Sequence, residues 1–192
     1  PNCVGPACVT PPDCTAIPAP PNCGQFVTPG LTIKKSAAGA FVSPQTAGTA
    51  GAGVYIFTVK NDGRSPYTGG FDLNENLPSG FSYDNAGHPI TGPAGYTVNC
   101  GSSTTKPVCR VTPPADIPVG TELLFTMPVN IAANTTVIDA ANIVAVTPPN
   151  PNGPNDPNNP NDPKNICTTN PLPSYCGKYV ISLLPLVVTK TA

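Results

Sequence analysis

The stretch that decides the fold is residues 122–131, which read ELLFTMPVNI. Every second position carries an apolar side chain: Leu123, Phe125, Met127, Val129 and Ile131. Successive side chains of a β-strand point to opposite faces, so this alternation predicts a strand with one buried face. The other face carries Glu122, Thr126 and Asn130, which suits contact with solvent.

The same period of two recurs along the chain, in runs separated by turns. The longer runs are residues 31–37, 54–61, 71–77 and 137–147, and the shorter ones are 81–84, 96–100 and 108–112. In the run 137–147 the predicted inner face holds Ile138, Ala140, Asn142, Val144 and Val146. Roughly seven to nine short strands predict an all-β, antiparallel β-sandwich. The 28 prolines among 192 residues exclude long helices.

One strand pattern occurs twice. Residues 31–37 read LTIKKSA, and residues 186–192 read LVVTKTA. Two cysteines with eight residues between them precede each copy, followed by GQFV in the first and GKYV in the second. Repetition at a fixed spacing indicates an array of similar modules. We therefore expect the chain to be a module of a repeating extracellular fibre.

The second copy of this strand also suggests how the modules are joined. Residues 179–192 are predicted to pair with the next module or subunit, in a tandem array or by strand donation between copies. An unpaired apolar edge aggregates unless something covers it. The expected contact residues are Val180, Leu183, Leu184, Leu186 and Val188. Either arrangement gives a head-to-tail polymer whose partners are copies of this chain.

The eight cysteines point to an oxidising compartment. They predict four local disulfides, Cys3–Cys8, Cys14–Cys23, Cys100–Cys109 and Cys167–Cys176, although sequence alone does not fix the connectivity. Zinc is disfavoured because its ligands usually lie two to four residues apart. We therefore expect an extracellular or cell-surface location.

Composition and motifs argue against several other functions. Charged residues make up 10% of the chain and the net charge is −1, which gives no basis for capturing nucleic acid or an anionic membrane. No apolar run reaches the ~20 residues of a membrane span. The chain also lacks a phosphate-binding glycine motif and a serine with a histidine at motif spacing. We expect no enzyme activity.

The predicted domain organisation has four parts. These are a Cys/Pro-rich extended segment over 1–30, the sandwich over 31–148, a Pro/Asn/Asp linker with a disulfide loop over 149–178, and the terminal strand over 179–192. The linker cannot bury a core, which predicts a solvated spacer. Oxygen ligands from Asp156 and Asp162 make calcium a candidate there. With two carboxylates and no EF-hand spacing, we favour the spacer and expect no cofactor.

Several runs resemble a known bacterial family. They are LTIKKSA at 31–37, VYIFTVKNDG at 54–63, NLPSGF at 76–81 and DAANIVAV at 139–146. Together they resemble the cell-surface repeat called domain of unknown function 11, over about residues 31–150. The resemblance implies an immunoglobulin-like sandwich, strung in tandem in surface or secreted proteins, without activity on outside substrates. The cysteine-rich flanks depart from it, as does the run NEN at 74–76, where the family commonly shows Asp before Leu-Pro.

Three polar residues fall on predicted inner faces: Lys35 on the first strand, Glu75 near the middle and Asn142 on the last. In pilin and adhesin domains with a similar plan, such a Lys and Asn condense to an isopeptide bond promoted by a buried acid. Burial lowers the pKa of a lysine and so makes it a nucleophile. Two simpler interpretations are a buried Lys–Glu pair with a hydrogen-bonded Asn, and a lysine that reaches the surface. Lys190, in the second copy of the strand, is the candidate for a bond between modules.

The alternative function is a surface adhesin module that binds carbohydrate or protein. Its sign is a cluster of exposed aromatic residues, for which Tyr67, Tyr83 and Tyr96 are the candidates. Surface glycans are a further candidate partner, because Thr and Ser beside Pro suit O-glycosylation and the run NTT at 134–136 fits a sequon.

Overall fold

The computed structural model describes residues 30–156 and 159–183. These residues form nine strands and one short helix. The strands are β1 (Leu31–Ala38), β2 (Val54–Asn61), β3 (Phe71–Asn76), β4 (Phe81–Tyr83), β5 (Thr97–Cys100), β6 (Val108–Thr112), β7 (Glu122–Ile131), β8 (Val137–Thr147) and β9 (Cys176–Leu183). The helix α1 spans Pro163–Ile166, between β8 and β9.

The strands form two antiparallel sheets around one core. The strand order is β1-β2-β7-β4 in the four-stranded sheet and β5-β6-β3-β8-β9 in the five-stranded sheet. Buried apolar residues from both sheets form a single cluster between them. Two antiparallel sheets that share a core are the architecture of an immunoglobulin-like sandwich. The predicted fold class is therefore confirmed.

The core follows the alternation in the sequence. The five predicted inner-face positions of β7 are buried, whereas Leu124 on its other face is exposed, and Tyr55, Phe57 and Val59 of β2 are fully buried. Aromatic rings from the two sheets contact each other in the core. For example, Phe71 on β3 packs edge to face on Phe125 on β7, with ring centroids 6.0 Å apart. Such pairs add stability beyond the area they bury. The period of two thus predicts these inner faces correctly.

β8 departs from the predicted alternation at its start. Val137 is buried, whereas Ile138 is 68% exposed, so the prediction that Ile138 faces the core is wrong. The cause is a β-bulge between Val137 and Ala140, in which Asp139 adopts a left-handed backbone conformation at φ 47°. A bulge adds one residue to a strand and so reverses which positions face inward. From Ala140 onward the predicted inner face holds, and it includes the fully buried Asn142.

The strand that follows the last cysteine pair is already paired within the chain. β9 runs antiparallel to β8 and forms an edge of the five-stranded sheet. Leu183 is buried in the core, while Val180 is 47% exposed. The prediction that residues 179–183 pair with another module or subunit is therefore wrong. They form hydrogen bonds with the edge of β8 in the same chain instead. Leu184, Leu186, Val188 and Lys190 lie outside the described residues.

The Pro/Asn/Asp segment after β8 is not a free spacer, which corrects the prediction of a solvated linker. It covers polar residues of β3, namely Asp72 and Asn74, which are fully buried. Asp72 accepts a hydrogen bond from the Asn150 backbone N–H at 2.7 Å and one from the Arg110 guanidinium at 3.2 Å. Asn159 donates to Asn74 at 2.8 Å. Hydrogen bonds to buried polar groups therefore fix a segment that is too polar to build its own core.

Two of the predicted disulfides lie in the described part of the chain. Cys100–Cys109 joins directly paired positions of β5 and β6, and Cys167–Cys176 connects the end of α1 to the start of β9. Cys3–Cys8 and Cys14–Cys23 lie outside the described residues. Within residues 30–156 and 159–183, no helix is long and apolar enough to cross a membrane.

Candidate crosslinking site

Lys35 extends from β1 into the core of the sandwich. It shares its face with Leu31 and Ile33, and pairing with β2 keeps that face inward. Its ammonium group forms an ion pair with Glu75 on β3, in the opposite sheet, and both side chains are almost completely buried. Because burial removes water from both charges, such a pair contributes little net stability, and stability alone does not account for it.

Glu75 is held by its own strand and lies next to Asn142. Its Oε1 accepts a hydrogen bond from the Asn76 backbone N–H at 2.8 Å, and its Oε2 accepts one from Lys35. Glu75 is directly opposite Val144 of β8, and Asn142 lies two residues from Val144 on the same face. Side chains at diagonal positions of this kind are close enough to interact. The structure thus brings the three predicted residues to one part of the core.

β9 closes the site at the edge where the two sheets meet. The Ile33 backbone N–H donates to the Ser174 carbonyl at 2.9 Å, just before β9 begins. Gly177 lies directly against Lys35, since a Cβ atom at Gly177 would be 3.0 Å from the Lys35 backbone nitrogen. Tyr179 is paired with Asn142 across β8 and β9. Close backbone approach and a flanking aromatic ring exclude water from this edge.

Aromatic rings surround the ammonium group. Lys35 Nζ lies 4.3 Å from the centroid of the Tyr55 ring and 5.1 Å from that of Phe57. Both rings are on the inner face of β2, the strand that pairs with β1. A site of this kind has few groups that can replace water around a charge. The neutral forms of the acid and the base are therefore stabilised relative to their charged forms.

The ionisation of the pair follows from this burial. Burial lowers the pKa of Lys35 to about 8, against the opposing effect of Glu75, which favours the charged amine. Burial likewise raises the pKa of Glu75 above its usual value, although Lys35 and the Asn76 N–H act in the other direction. Both shifts reduce the cost of moving one proton from Lys35 to Glu75. The pair can therefore supply an uncharged amine, which is a nucleophile.

Asn142 is the least satisfied polar residue of the site. It is fully buried, yet neither its side-chain nitrogen nor its oxygen makes a hydrogen bond among the described residues. The Tyr55 hydroxyl is likewise buried without such a bond. Burial raises the pKa of Tyr55, and the Asn142 amide is near enough to oppose that rise, although no bond of good geometry joins the two groups. Buried polar groups without partners are rare in folded proteins, so this amide requires an explanation.

Tyr55 is the site residue that the sequence did not single out. It alternates with Phe57 and Val59 in an ordinary inner-face pattern, so nothing in its spacing distinguishes it from core packing. Only the strand register places its ring under Lys35 and its hydroxyl near Asn142. Position on the inner face could have been predicted, but contact with Lys35 could not.

Other predicted site residues have different surroundings. Asp156 accepts hydrogen bonds from Asn150 and Asn152, and Asp162 pairs with Lys106 and caps α1. These contacts engage the two carboxylates proposed for calcium. No cluster of three or more His, Cys, Asp or Glu side chains suited to a metal occurs within residues 30–156 and 159–183.

The three tyrosines proposed for an adhesin surface do not form an exposed cluster. Tyr83 is only 2% exposed, and Tyr67 and Tyr96 are partly buried against the core. The ring of Tyr67 packs edge to face on Phe71, and that of Tyr96 packs in the same way on Phe125. These three side chains therefore pack in or against the hydrophobic core.

Comparisons with known proteins leave the family open. No protein-family model matches the chain. No curated protein matches it either. The function is therefore inferred from the site itself and from the sequence patterns.

Proposed function

We propose that this chain is a structural module of a bacterial extracellular filament or surface fibre, and that it crosslinks itself through an isopeptide bond between Lys35 and Asn142. The observation that carries this proposal is the buried Lys35–Glu75 pair beside an Asn142 amide that lacks a hydrogen-bond partner among the described residues. An ordinary polar core satisfies its amides, whereas a reactive one positions them for attack.

The reaction balances with the groups present. Lys35 transfers one proton to the Glu75 carboxylate, and the lone pair on Nζ then attacks Cγ of Asn142. The new Nζ–Cγ bond forms, the Cγ–Nδ2 bond breaks, and Nδ2 leaves as ammonia with a proton from the attacking nitrogen. Glu75 ends protonated, which suits a buried carboxyl group that no longer faces a cation. Escape of ammonia makes the step irreversible.

The position of the bond suits a protein under tension. Lys35 is on β1 and Asn142 is on β8, so the bond joins the two sheets near the first and last parts of the sandwich. A force applied to the two ends of the module passes through the bond, and the residues between Lys35 and Asn142 do not bear it. This arrangement is useful in a fibre and has little value in a free enzyme.

Head-to-tail continuity is supported by the repeat in the sequence. In the described part, Cys176 begins β9, and the matching pattern Cys23-GQFV precedes β1. The pattern that begins β9 is therefore followed by the pattern of β1 twice in the sequence. A tandem array or an exchange of strands requires this order. Residues up to Leu183 belong to β9, so we assign the contact with a neighbour to the second copy of the β1 pattern, residues 186–192, which includes Lys190.

The proposed location agrees with the covalent chemistry. Disulfides such as Cys100–Cys109 and Cys167–Cys176 are typical of secreted proteins and of bacterial surfaces. The resemblance to domain of unknown function 11 supports the same location and a role without enzyme activity on outside substrates. An adhesin role is less well supported, because the expected cluster of exposed tyrosines is not formed by Tyr67, Tyr83 and Tyr96.

Electron microscopy of the purified protein tests the fibre. We expect ordered filaments with one sandwich per axial repeat. A variant that ends at Leu183 is the matched control, because it keeps β9 and the whole core but lacks residues 184–192. We expect it to fold and to remain monomeric. Monodisperse single domains from the full chain, under conditions in which it is folded, would contradict the proposal.

A further inference from the structure

Tyr55 lies on the inner face of β2, close to both groups that are to react. Its ring lies under Lys35, with Nζ 4.3 Å from the ring centroid. Its ring packs on Tyr179, which is paired with Asn142, and its hydroxyl is buried near that amide without a hydrogen bond among the described residues. Filling space does not require a buried hydroxyl and a buried amide that both lack partners, because each such group destabilises the fold.

We propose that Tyr55 is a catalytic residue of the self-crosslinking reaction, and that its hydroxyl donates a hydrogen bond to Oδ1 of Asn142 while Lys35 attacks. This inference rests on the proposed function, because it assigns a role within the same bond-forming site. As Nζ adds to Cγ, negative charge develops on Oδ1, and a donor placed there stabilises the transition state. Tyr55 keeps its own proton throughout, so the atom balance of the reaction is unchanged.

Glu75 is poorly placed to provide this donor. Its Oε1 accepts a hydrogen bond from the Asn76 N–H, and its Oε2 binds Lys35. Glu75 therefore handles the proton of the nucleophile. Tyr55 offers a buried hydroxyl that makes no hydrogen bond among the described residues, so we assign the two tasks to two residues.

The properties of Tyr55 fit a donor that stays neutral. The side chain is fully buried, and burial raises its pKa, which keeps the hydroxyl protonated at neutral and moderately alkaline pH. Rings on both sides fix its position: Phe41 at 4.9 Å and Tyr179 at 6.0 Å between centroids. A donor that is already in place needs no reorganisation when the charge develops, which is the main source of its effect.

The test is the rate of crosslinking in newly made, full-length protein. The wild type and Tyr55→Phe are synthesised in a short pulse, sampled over time into acidic denaturant, and reduced. Intact mass then gives the fraction of each sample that has lost ammonia. Tyr55→Phe keeps the ring beside Lys35 and removes only the hydroxyl. The matched control is Tyr67→Phe, whose hydroxyl donates to the Gly70 carbonyl at 3.0 Å, away from the site.

We expect Tyr55→Phe to lose ammonia about 100-fold more slowly than the wild type, in line with removal of one oxyanion donor, and Tyr67→Phe to react at the wild-type rate. Equal rates for wild type and a folded Tyr55→Phe would overturn the role of Tyr55 and leave the crosslink itself intact. If the folded wild type never loses ammonia, the proposed crosslink fails, and the role of Tyr55 fails with it.

A second variant covers the case in which Tyr55→Phe does not fold. Fluorotyrosine at position 55 keeps the hydroxyl and nearly the same shape, but its hydroxyl is more acidic and a stronger donor. We expect it to crosslink faster than the wild type. A rate that does not change with the acidity of this hydroxyl would show that the group does not take part, since a structural role is insensitive to donor strength.

Discussion

At the scale of single residues, Asn142 is the side chain whose surroundings are hardest to explain as ordinary packing. It is completely buried, and both of its polar atoms lack a partner among the described residues. Leaving such groups unsatisfied destabilises a fold. The proposed bond to Lys35 would remove this cost, because the reaction would consume the amide and the charge on Lys35 would disappear with it.

The pKa of Lys35 gives a prediction about pH for protein in which the bond cannot form. In Asn142→Ala the amine of Lys35 stays free, with a folded pKa of about 8 against 10.5 in the unfolded chain. Between these values the unfolded state binds more protons than the folded state, so the free energy of unfolding rises with pH, by about 1 kcal/mol per pH unit. If the proposed bond forms, the wild type has no free Lys35 amine, and we expect it to lack this rise.

Urea unfolding of the two proteins at intervals between pH 8 and pH 10.5 measures this difference. Ionisable groups elsewhere affect both proteins equally, so the comparison isolates Lys35. The same pH dependence in wild type and Asn142→Ala would show that Lys35 is equally ionisable in both, which contradicts the bond.

At the scale of elements, the Pro/Asn/Asp segment after β8 is held by one buried carboxylate. Asp72 binds Arg110 of β6 and the Asn150 backbone N–H together. Asp72→Ala leaves the Arg110 charge and the Asn150 N–H without this partner. We expect a loss of about 1.5–3 kcal/mol in the free energy of unfolding, as for the loss of hydrogen bonds to a charged group, because Arg110 is partly exposed and water can hydrate it.

Urea unfolding and amide hydrogen exchange measure this effect, and protection of the Asn150 N–H is expected to disappear in Asp72→Ala. The control is Asp62→Ala, which removes an exposed partner of Lys60 and is expected to change stability by no more than about 0.5 kcal/mol. A loss below about 1 kcal/mol in Asp72→Ala, with the Asn150 N–H still protected, would contradict the role given to this carboxylate.

The elements also show what the sequence could and could not predict. Alternation located the inner faces of β2, β3 and β7 and placed Lys35, Glu75 and Asn142 inside, because side-chain direction in a regular strand depends only on position. Ile138 was misplaced because a bulge is a local insertion that leaves the composition of the strand unchanged. The segment after β8 was misjudged because its stability comes from polar partners on β3, which composition does not reveal. The role of Tyr55 depends on strand register, which alternation leaves open.

At the scale of the whole molecule, the crosslink connects the fold to its proposed use. The disulfides Cys100–Cys109 and Cys167–Cys176 each close a short loop, so they staple parts of the sandwich locally. The proposed Lys35–Asn142 bond would instead join the two sheets and enclose the chain between β1 and β8. Compared with these two disulfides, only the proposed bond would lie on the path of a force through the module from β1 to β8.

Intact mass of the fully reduced protein tests this central claim most directly. We predict that the folded wild type is lighter than its sequence by one ammonia, and that fragmentation finds a branched peptide joining Lys35 to Asn142. Lys35→Arg and Asn142→Ala are expected to have the masses of their sequences. Lys34→Arg, at the neighbouring exposed lysine, is expected to lose ammonia as the wild type does. A folded wild-type protein with the full mass of its sequence would contradict the account.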